Sequence, residues 1–221
     1  MNKIVSILSY YFLGPYMRSS LLKEVRGKEN FPKRNFIMAS NHLSHLDWFI
    51  DGWLLTPRRF TFIAQIDKMT GTKSLFRDLL YLYAGVVRVD RNDKESKRQA
   101  LVGAIEMLKK GYCLILYPEG TRARDGQTHD FKAGVGKIHI ETGAPVVPSA
   151  IKGSYEMMPP GEKMKGKKMV SVLIGKQLDF PEERAAAAKL DKSSAEYREI
   201  CSKVAAKVED AVRDLLKDGV S

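Results

Sequence analysis

The sequence contains little cysteine and no long apolar segment. Cys113 and Cys201 are its two cysteines, and each falls in an apolar or helical pattern. This excludes a disulfide framework and predicts two reduced, buried thiols. The uncharged run over residues 4–17 has fourteen residues and is interrupted by Gly14-Pro15, whereas a helix that spans a bilayer needs about 20 residues. No small-x-small cleavage site follows the run, which argues against a signal peptide.

Two placements of this N-terminal run are open. A helix lying in the membrane interface would put Tyr10, Tyr11 and Tyr16 at the depth of the lipid headgroups. The alternative is a first helix that packs on the protein core. We expect the first placement. The chain then consists of a membrane-associating helical segment, residues 1–25, and one α/β domain, residues 26–221.

Acidic residues are fewer than basic ones. The 37 lysines and arginines and the 26 aspartates and glutamates give a net charge of +11, which favours an anionic partner such as a nucleic acid, a membrane surface or a phosphorylated substrate. No aromatic–basic platform or recognition helix supports nucleic-acid binding, so we expect no nucleic-acid partner. Residues 157–168 include two adjacent prolines and four lysines and predict a basic surface loop.

Short apolar runs alternate with helical patterns along the chain. The apolar runs are rich in β-branched and aromatic residues and predict six strands, at residues 35–39, 60–64, 85–89, 113–117, 146–151 and 169–174. Helices are predicted near residues 45–55, 72–83, 94–110 and 133–142, and a docking helix with one apolar stripe is predicted at residues 194–217. This alternation indicates an α/β fold, with a mixed or largely parallel sheet flanked by helices.

The segment Asn41–Asp47, NHLSHLD, places His42 and Asp47 five residues apart. On a regular helix, residues five apart point about 140° away from each other, so the two side chains meet only if the chain turns between them. Ser44 and Asp47 have the spacing of a capping box, which predicts that a helix begins at His45. His42 would then lie in the preceding turn, where the Asp47 carboxylate can orient its imidazole.

Several roles are compatible with this cluster. A His–Asp pair can act as a base, and a base for the hydroxyl of a substrate fits best, because no G-x-S-x-G motif or activated cysteine supplies a nucleophile. No H-E-x-x-H motif or cysteine pair accompanies His42 and His45, so we expect no metal. The structural alternative is that Asp47 only caps a helix and His42 is a polar loop residue.

Arginines follow two other predicted strands. Arg88 and Arg91 lie around the end of one strand, and Pro118–Arg122, PEGTR, follows another with a permissive glycine, a hydroxyl and a guanidinium that can bind phosphate. Because the carboxyl ends of parallel strands meet at one edge of a sheet, these groups and the His–Asp turn predict one site.

The order of these motifs resembles that of the glycerolipid acyltransferase family, which includes the bacterial 1-acylglycerol-3-phosphate acyltransferases. NHLSHLD matches the family's N-H-x-x-x-x-D block, and YPEGTR at residues 117–122 matches its third block. GVVRVDR at residues 85–91 resembles the second block, and VVPSAI at residues 146–151 resembles the fourth. FKAG at residues 131–134 matches the Phe-Lys-x-Gly that follows the third block in many members.

The resemblance implies roles for individual residues. It makes His42 the catalytic base and Asp47 its orienting partner. It also assigns a set of residues to acceptor binding: Arg88, Arg91, Glu119, Gly120, Thr121, Arg122 and Lys132. Pro148 falls in the block on the acyl-donor side. Arg88 stands where members often have an aliphatic or aromatic residue, so Arg91 is the better match.

The reaction implied by the resemblance is transfer of a fatty acyl group from an acyl thioester to the free hydroxyl of lysophosphatidic acid, giving phosphatidic acid. The thioester, on coenzyme A or acyl carrier protein, is a co-substrate, and no cofactor is implied. Alternatives are another lyso-lipid or glycerol-3-phosphate as acceptor, or a non-catalytic peripheral lipid-binding protein of the same fold. The basic charge and the N-terminal run predict a peripheral or monotopic protein on the cytoplasmic face of the cell membrane, drawn to its anionic surface.

Overall fold

A seven-stranded sheet forms the centre of the computed structural model, which describes residues 11, 13–65 and 86–218. The helix predicted at residues 72–83 and most of the uncharged run 4–17 lie outside the described residues. The strands are β1 (Leu22–Arg26), β2 (Ile37–Ser40), β3 (Phe60–Gln65), β4 (Val87–Val89), β5 (Cys113–Leu116), β6 (Val146–Lys152) and β7 (Val170–Ile174). The α-helices are α1 (Leu46–Leu55), α2 (Lys94–Lys109), α3 (Gly134–Thr142), α4 (Ser154–Met157), α5 (Pro181–Ala187) and α6 (Ala195–Lys217).

The strands follow the order β1-β7-β6-β2-β5-β3-β4 across the sheet. The five strands from β6 to β4 are parallel to one another, β7 runs antiparallel to β6, and β1 runs parallel to β7. Every residue of β2 and β5 is buried, as expected for central parallel strands that are covered on both faces. The predicted α/β fold with a mixed, largely parallel sheet is confirmed.

Helices cover both faces of the sheet, because side chains of each strand alternate between the faces. Phe36 and Met38 pack in one apolar cluster with α1 and with a π-helical turn, Met17–Leu21. Ile37 and Ala39 pack in the other cluster, with α2, α3 and α6. The described strands and helices that were predicted begin and end within two residues of their predicted positions.

The predicted boundary of the N-terminal helical segment, residue 25, is wrong, because a strand begins at Leu22. Residues 22–25 were assigned to a helical segment ending at residue 25, but Leu22–Arg26 pairs in parallel with β7 at the edge of the sheet. Met17 and Leu21 are fully buried in the core, whereas Tyr11 is 70% and Tyr16 44% exposed. Among the described residues, core packing begins at Leu13, which is half-buried against the same apolar cluster as Met17. Within the described ranges, no helix combines the length and the apolar character needed to cross a bilayer.

Candidate active site

The carboxyl ends of β2, β5 and β6 lie side by side and bring distant segments together. The Asn41 side chain accepts the N–H of Ile151 at 2.8 Å and donates to its carbonyl at 2.9 Å, which joins the turn after β2 to the end of β6. The N–H of Ala123 donates to the carbonyl of His42 at 2.9 Å, which joins the loop after β5 to the same turn. The turn at His42 is thus fixed from both sides.

His42 and Asp47 are in contact, through the turn that the sequence predicts. His42 Nδ1 lies 2.9 Å from Asp47 Oδ2, which also accepts the N–H groups of Leu43 and Ser44 at 2.7 Å each. An oxygen that already receives two N–H bonds acts as an acceptor, so the Nδ1 of His42 carries the proton and its Nε2 presents a lone pair. The His42 side chain is 11% exposed, and that of Asp47 is fully buried.

The Asp47 carboxylate both caps the helix and contacts His42, so the two roles considered for it occur together. Helix α1 begins at Leu46, one residue later than predicted, and Asp47 lies in its first turn, where the helix dipole favours negative charge. Ser44 Oγ accepts the N–H of Leu46 at 3.2 Å and donates to the carbonyl of Met158 at 2.7 Å. Asp47 therefore holds the turn and the imidazole at once.

Glu119 connects the His42 turn to the loop after β5. Its Oε1 accepts the N–H of His42 at 2.9 Å, and its Oε2 accepts the N–H of His129 at 3.2 Å. The residue is 3% exposed. Burial raises the pKa of its carboxyl to about 7, although the two N–H donors lower it. Both oxygens thus bind backbone groups, and Glu119 holds two loops at fixed separation.

His129 is a site residue that the sequence analysis missed. Its N–H shares the Glu119 carboxyl with that of His42, which places the two histidine backbones close together. Its Nε2 lies 3.1 Å from Asp125 Oδ1, and its side chain is 54% exposed. A search for every histidine within four residues of a carboxylate would have found this second pair.

Lys132 closes over the loop that carries the PEGTR motif. Gly120 has φ of 76°, and a Cβ added there would lie 2.5 Å from Lys132 Nζ, so a larger residue would be strained and would displace the ammonium group. The N–H of Lys132 donates to the carbonyl of Pro118 at 3.0 Å. The sequence motifs YPEGTR and FKAG therefore form one structural unit, in which Thr121 is exposed and Arg122 half-buried.

The acyltransferase family model matches residues 23–152, which are 130 of the 221 residues and include this whole site. The chain belongs to the acyltransferase family. It is 33% identical over 146 residues to a chloroplastic 1-acyl-sn-glycerol-3-phosphate acyltransferase of Brassica napus, a match covering 63% of this chain and 40% of that protein. It is 33% identical over 125 residues to a 1-acyl-sn-glycerol-3-phosphate acyltransferase of Borreliella burgdorferi, covering 56% of this chain and 48% of that protein. The chain thus spans less than half the length of these curated relatives.

A solved structure is similar over nearly the whole chain. It is the crystal structure of the 1-acyl-sn-glycerophosphate acyltransferase PlsC from Thermotoga maritima, with a TM-score of 0.65 and 28% sequence identity. The match covers 99% of this chain and 78% of that one. The similarity therefore includes strand β7 and the C-terminal helix α6, which lie outside the family match.

In this chain, the two arginines at the end of β4, Arg88 and Arg91, lie apart from the dyad. Strand β4 is three strand spacings from β2, roughly 14 Å. Arg88 is exposed and pairs with Ala64, which packs on the same apolar cluster as α1. The N–H of Arg91 donates to Gln65 Oε1 at 3.0 Å just beyond the strand. A ligand reaching from His42 to these arginines would have to follow the α1 face of the sheet.

Pro148 lies in β6 and faces α6 rather than α1, the helix that carries Asp47. It pairs with Ala39 in the centre of the sheet, and a Cβ on Gly175 would lie 2.8 Å from its ring and 3.2 Å from Leu215 of α6. Its ring thus packs on the α6 face, whereas α1 covers the other face.

Among the described residues, no three histidine, cysteine or acidic side chains are grouped so that they could hold a metal ion.

Proposed function

We propose that this chain is a 1-acyl-sn-glycerol-3-phosphate acyltransferase that moves a fatty acyl group from a thioester of coenzyme A or acyl carrier protein to lysophosphatidic acid. The observation that carries the proposal is the buried Asp47 carboxylate bound to His42 Nδ1 at 2.9 Å, which leaves Nε2 as a base. The Brassica, Borreliella and Thermotoga proteins are named for acylation of 1-acyl-sn-glycerol-phosphate, which supports the choice of acceptor.

The proposed chemistry requires only these two side chains and the substrates. His42 Nε2 takes the proton of the acceptor hydroxyl while the hydroxyl oxygen attacks the carbonyl carbon of the thioester. A carbon–oxygen bond forms, the carbon–sulfur bond breaks, and the thiolate leaves with the proton returned by the imidazolium. Asp47 stabilises that imidazolium, as a buried carboxylate does beside a histidine base. The acyl group passes directly between substrates, without an acyl-enzyme.

The acceptor phosphate would bind near the loop after β5. Arg122 and Lys132 are cations on the loop that Glu119 fixes to the His42 turn, and guanidinium and ammonium groups make charge-assisted bonds to phosphate. Binding the phosphate there would hold the glycerol hydroxyl in a defined position against Nε2. Arg91 and Arg88 would extend the positive region along the α1 face, within reach of a larger headgroup.

One assay tests this proposal. Purified full-length protein is mixed with an acyl-CoA or acyl carrier protein thioester and a panel of acceptors: lysophosphatidic acid, other lyso-phospholipids and glycerol-3-phosphate. We expect the highest kcat/KM with lysophosphatidic acid, measured as labelled phosphatidic acid. A clear preference for another acceptor would assign the enzyme to that lipid. Binding of lyso-lipid without turnover of any donor would leave a lipid-binding protein of the same fold.

Substitution of the acceptor-site arginines should act mainly on KM. Arg122→Ala removes a charge-assisted phosphate contact, which corresponds to an increase of roughly 10- to 100-fold in KM for lysophosphatidic acid. Arg91→Ala should raise this KM less, because Arg91 follows β4, three strand spacings from β2. The KM for the acyl donor should change little. Arg198→Ala, an exposed arginine on the opposite face in α6, is the matched control. An effect confined to the donor would show that these arginines do not bind the acceptor.

We further propose that the protein binds the cytoplasmic face of the cell membrane through its N-terminal segment and a basic loop. The loop, residues 157–168, carries Met164 at 44% exposure and four lysines, and the N–H of Lys168 donates to the carbonyl of Ser20 at 2.9 Å. This bond places the basic loop beside the segment that exposes Tyr11 and Tyr16. Exposed tyrosines and lysines on one side suit an anionic lipid surface.

A charge-matched pair of variants tests the membrane proposal. Four lysine-to-glutamine changes in the basic loop, at Lys163, Lys165, Lys167 and Lys168, should weaken binding to anionic liposomes by roughly 100-fold or more, since each lysine near such a surface contributes about 1 kcal/mol. The control changes four exposed lysines of α2 and its end, Lys94, Lys97, Lys109 and Lys110, on the opposite face. Equal losses in a flotation assay would mean that only total charge matters.

A further inference from the structure

The aromatic ring of Tyr117 packs on the His42 imidazole. The ring of Tyr117 is stacked on it, with centroids 4.0 Å apart and planes inclined by 16°. The Tyr117 hydroxyl in turn donates to Asp51 Oδ2 at 2.8 Å. Asp51 is fully buried in α1, four residues after Asp47. Residues four apart lie on the same face of a helix, so one face of α1 binds both rings.

The two contacts restrict the imidazole in different ways. The bond from Nδ1 to Asp47 fixes the edge of the ring but leaves it able to tilt about the line joining the two atoms. The Tyr117 ring covers one face and opposes that tilt, and the hydroxyl bond to Asp51 keeps the Tyr117 ring itself in place. With both contacts, Nε2 points in one direction.

We propose that Tyr117, anchored by Asp51, is a positioning residue that fixes the plane of the His42 imidazole for attack by the acceptor hydroxyl. The kinetic consequence rests on the acyl transfer proposed above, whereas the ring contact itself does not. An imidazole that tilts would present Nε2 away from the hydroxyl in part of its conformations, and a misplacement of about 1 Å can cost roughly 100-fold in rate.

Burial disfavours a charge on the two groups that hold the Tyr117 ring. Burial raises the pKa of the Asp51 carboxyl well above its ordinary value, and the nearby Asp47 raises it further, whereas the Tyr117 bond lowers it. Burial also raises the pKa of the Tyr117 hydroxyl. Both shifts favour the uncharged form of the group. The carboxylate in contact with the imidazole is Asp47, whereas Asp51 contacts the Tyr117 hydroxyl.

Three variants separate stacking from the hydroxyl bond. Tyr117→Leu removes the ring, and we expect kcat to fall roughly 10- to 100-fold with the KM of both substrates unchanged. Tyr117→Phe keeps the ring and removes the anchor, so kcat should fall only about 2- to 10-fold. Asp51→Asn keeps an acceptor for the hydroxyl and should stay close to the original rate. Tyr197→Phe, which removes a 3.4 Å tyrosine bond to Glu141 on the opposite face, is the control.

Nuclear magnetic resonance of labelled histidine gives a readout that does not depend on activity. The chain has four histidines, and His42→Ala identifies the His42 ring signals by their loss. Tyr117→Leu should shift those ring signals, because the stacked ring no longer shields them, whereas Tyr117→Phe should preserve them. The signals of the other three histidines should stay in place and show that the Tyr117→Leu protein is folded.

The outcomes distinguish the two proposals. The positioning role is overturned if folded Tyr117→Leu keeps its kcat, if its loss appears only in KM, or if Tyr117→Phe is as slow as Tyr117→Leu. Unchanged His42 ring signals in Tyr117→Leu would overturn the stacking contact. If the original protein transfers no acyl group to any acceptor, the enzymatic proposal fails, and the ring signals still decide whether Tyr117 orients His42.

Discussion

His42→Ala should lower kcat for acyl transfer by roughly 100- to 10,000-fold, the range in which a positioned general base contributes. The reason is that His42 Nε2 is the atom left free to accept the hydroxyl proton once Nδ1 is bound to Asp47. The domain should remain folded, because the His42 side chain lies in a turn whose backbone is held by Glu119 and Ala123. Steady-state rates with a thioester and lysophosphatidic acid, together with circular dichroism, measure both quantities.

A neighbouring histidine supplies the control for this substitution. His45 is three residues away and exposed, and no catalytic role is assigned to it. His45→Ala should keep the original kcat. A folded His42→Ala protein with a rate close to that of His45→Ala would show that His42 is not the base.

Asp47→Asn should reduce both activity and stability. A neutral amide oxygen accepts weaker bonds than a carboxylate oxygen, and Asp47 Oδ2 accepts from His42 and from the N–H groups of Leu43 and Ser44. We expect a loss of about 2–4 kcal/mol in the free energy of unfolding, because hydrogen bonds to charged groups are stronger by about 1 kcal/mol each. The loss of the orienting carboxylate should also lower kcat by roughly 100-fold or more.

Comparison with His42→Ala separates the two functions of Asp47. His42→Ala should lose rate with little loss of stability in urea unfolding, whereas Asp47→Asn should lose both. If Asp47→Asn were destabilised but kept its full kcat at a temperature where it is folded, Asp47 would be only the helix cap. If it lost rate without losing stability, the backbone bonds at Leu43 and Ser44 would contribute less than their geometry indicates.

The sequence predicts most of the fold and the dyad because their signals are local. Apolar runs such as CLIL of β5 are continuous, since central parallel strands are buried on both faces. The turn between His42 and Asp47 follows from the capping spacing of Ser44 and Asp47 within seven residues. Strand β1 has no comparable signal: LKEVR contains only two apolar residues and forms an edge of the sheet.

The contacts that the sequence could not predict join residues far apart in the chain. Tyr117 and Asp51 are separated by 66 positions, and Glu119 joins backbone groups 77 and 10 positions away. Such contacts depend on the register of β2 against β5, which no short motif encodes. For the same reason, motif order could place Arg88 and the dyad at one sheet edge but could not give the three strand spacings between their strands.

Direct acyl transfer to a hydroxyl activated by His42 is tested most directly in a single turnover. Full-length protein in excess over a labelled acyl thioester is mixed with lysophosphatidic acid, quenched over time, and analysed as intact protein and as lipid by mass spectrometry. We expect the label to move from the thioester to phosphatidic acid without ever adding to the mass of the protein, and to stay on the thioester with His42→Ala. Label on the protein, or phosphatidic acid formed equally well by His42→Ala, would contradict it.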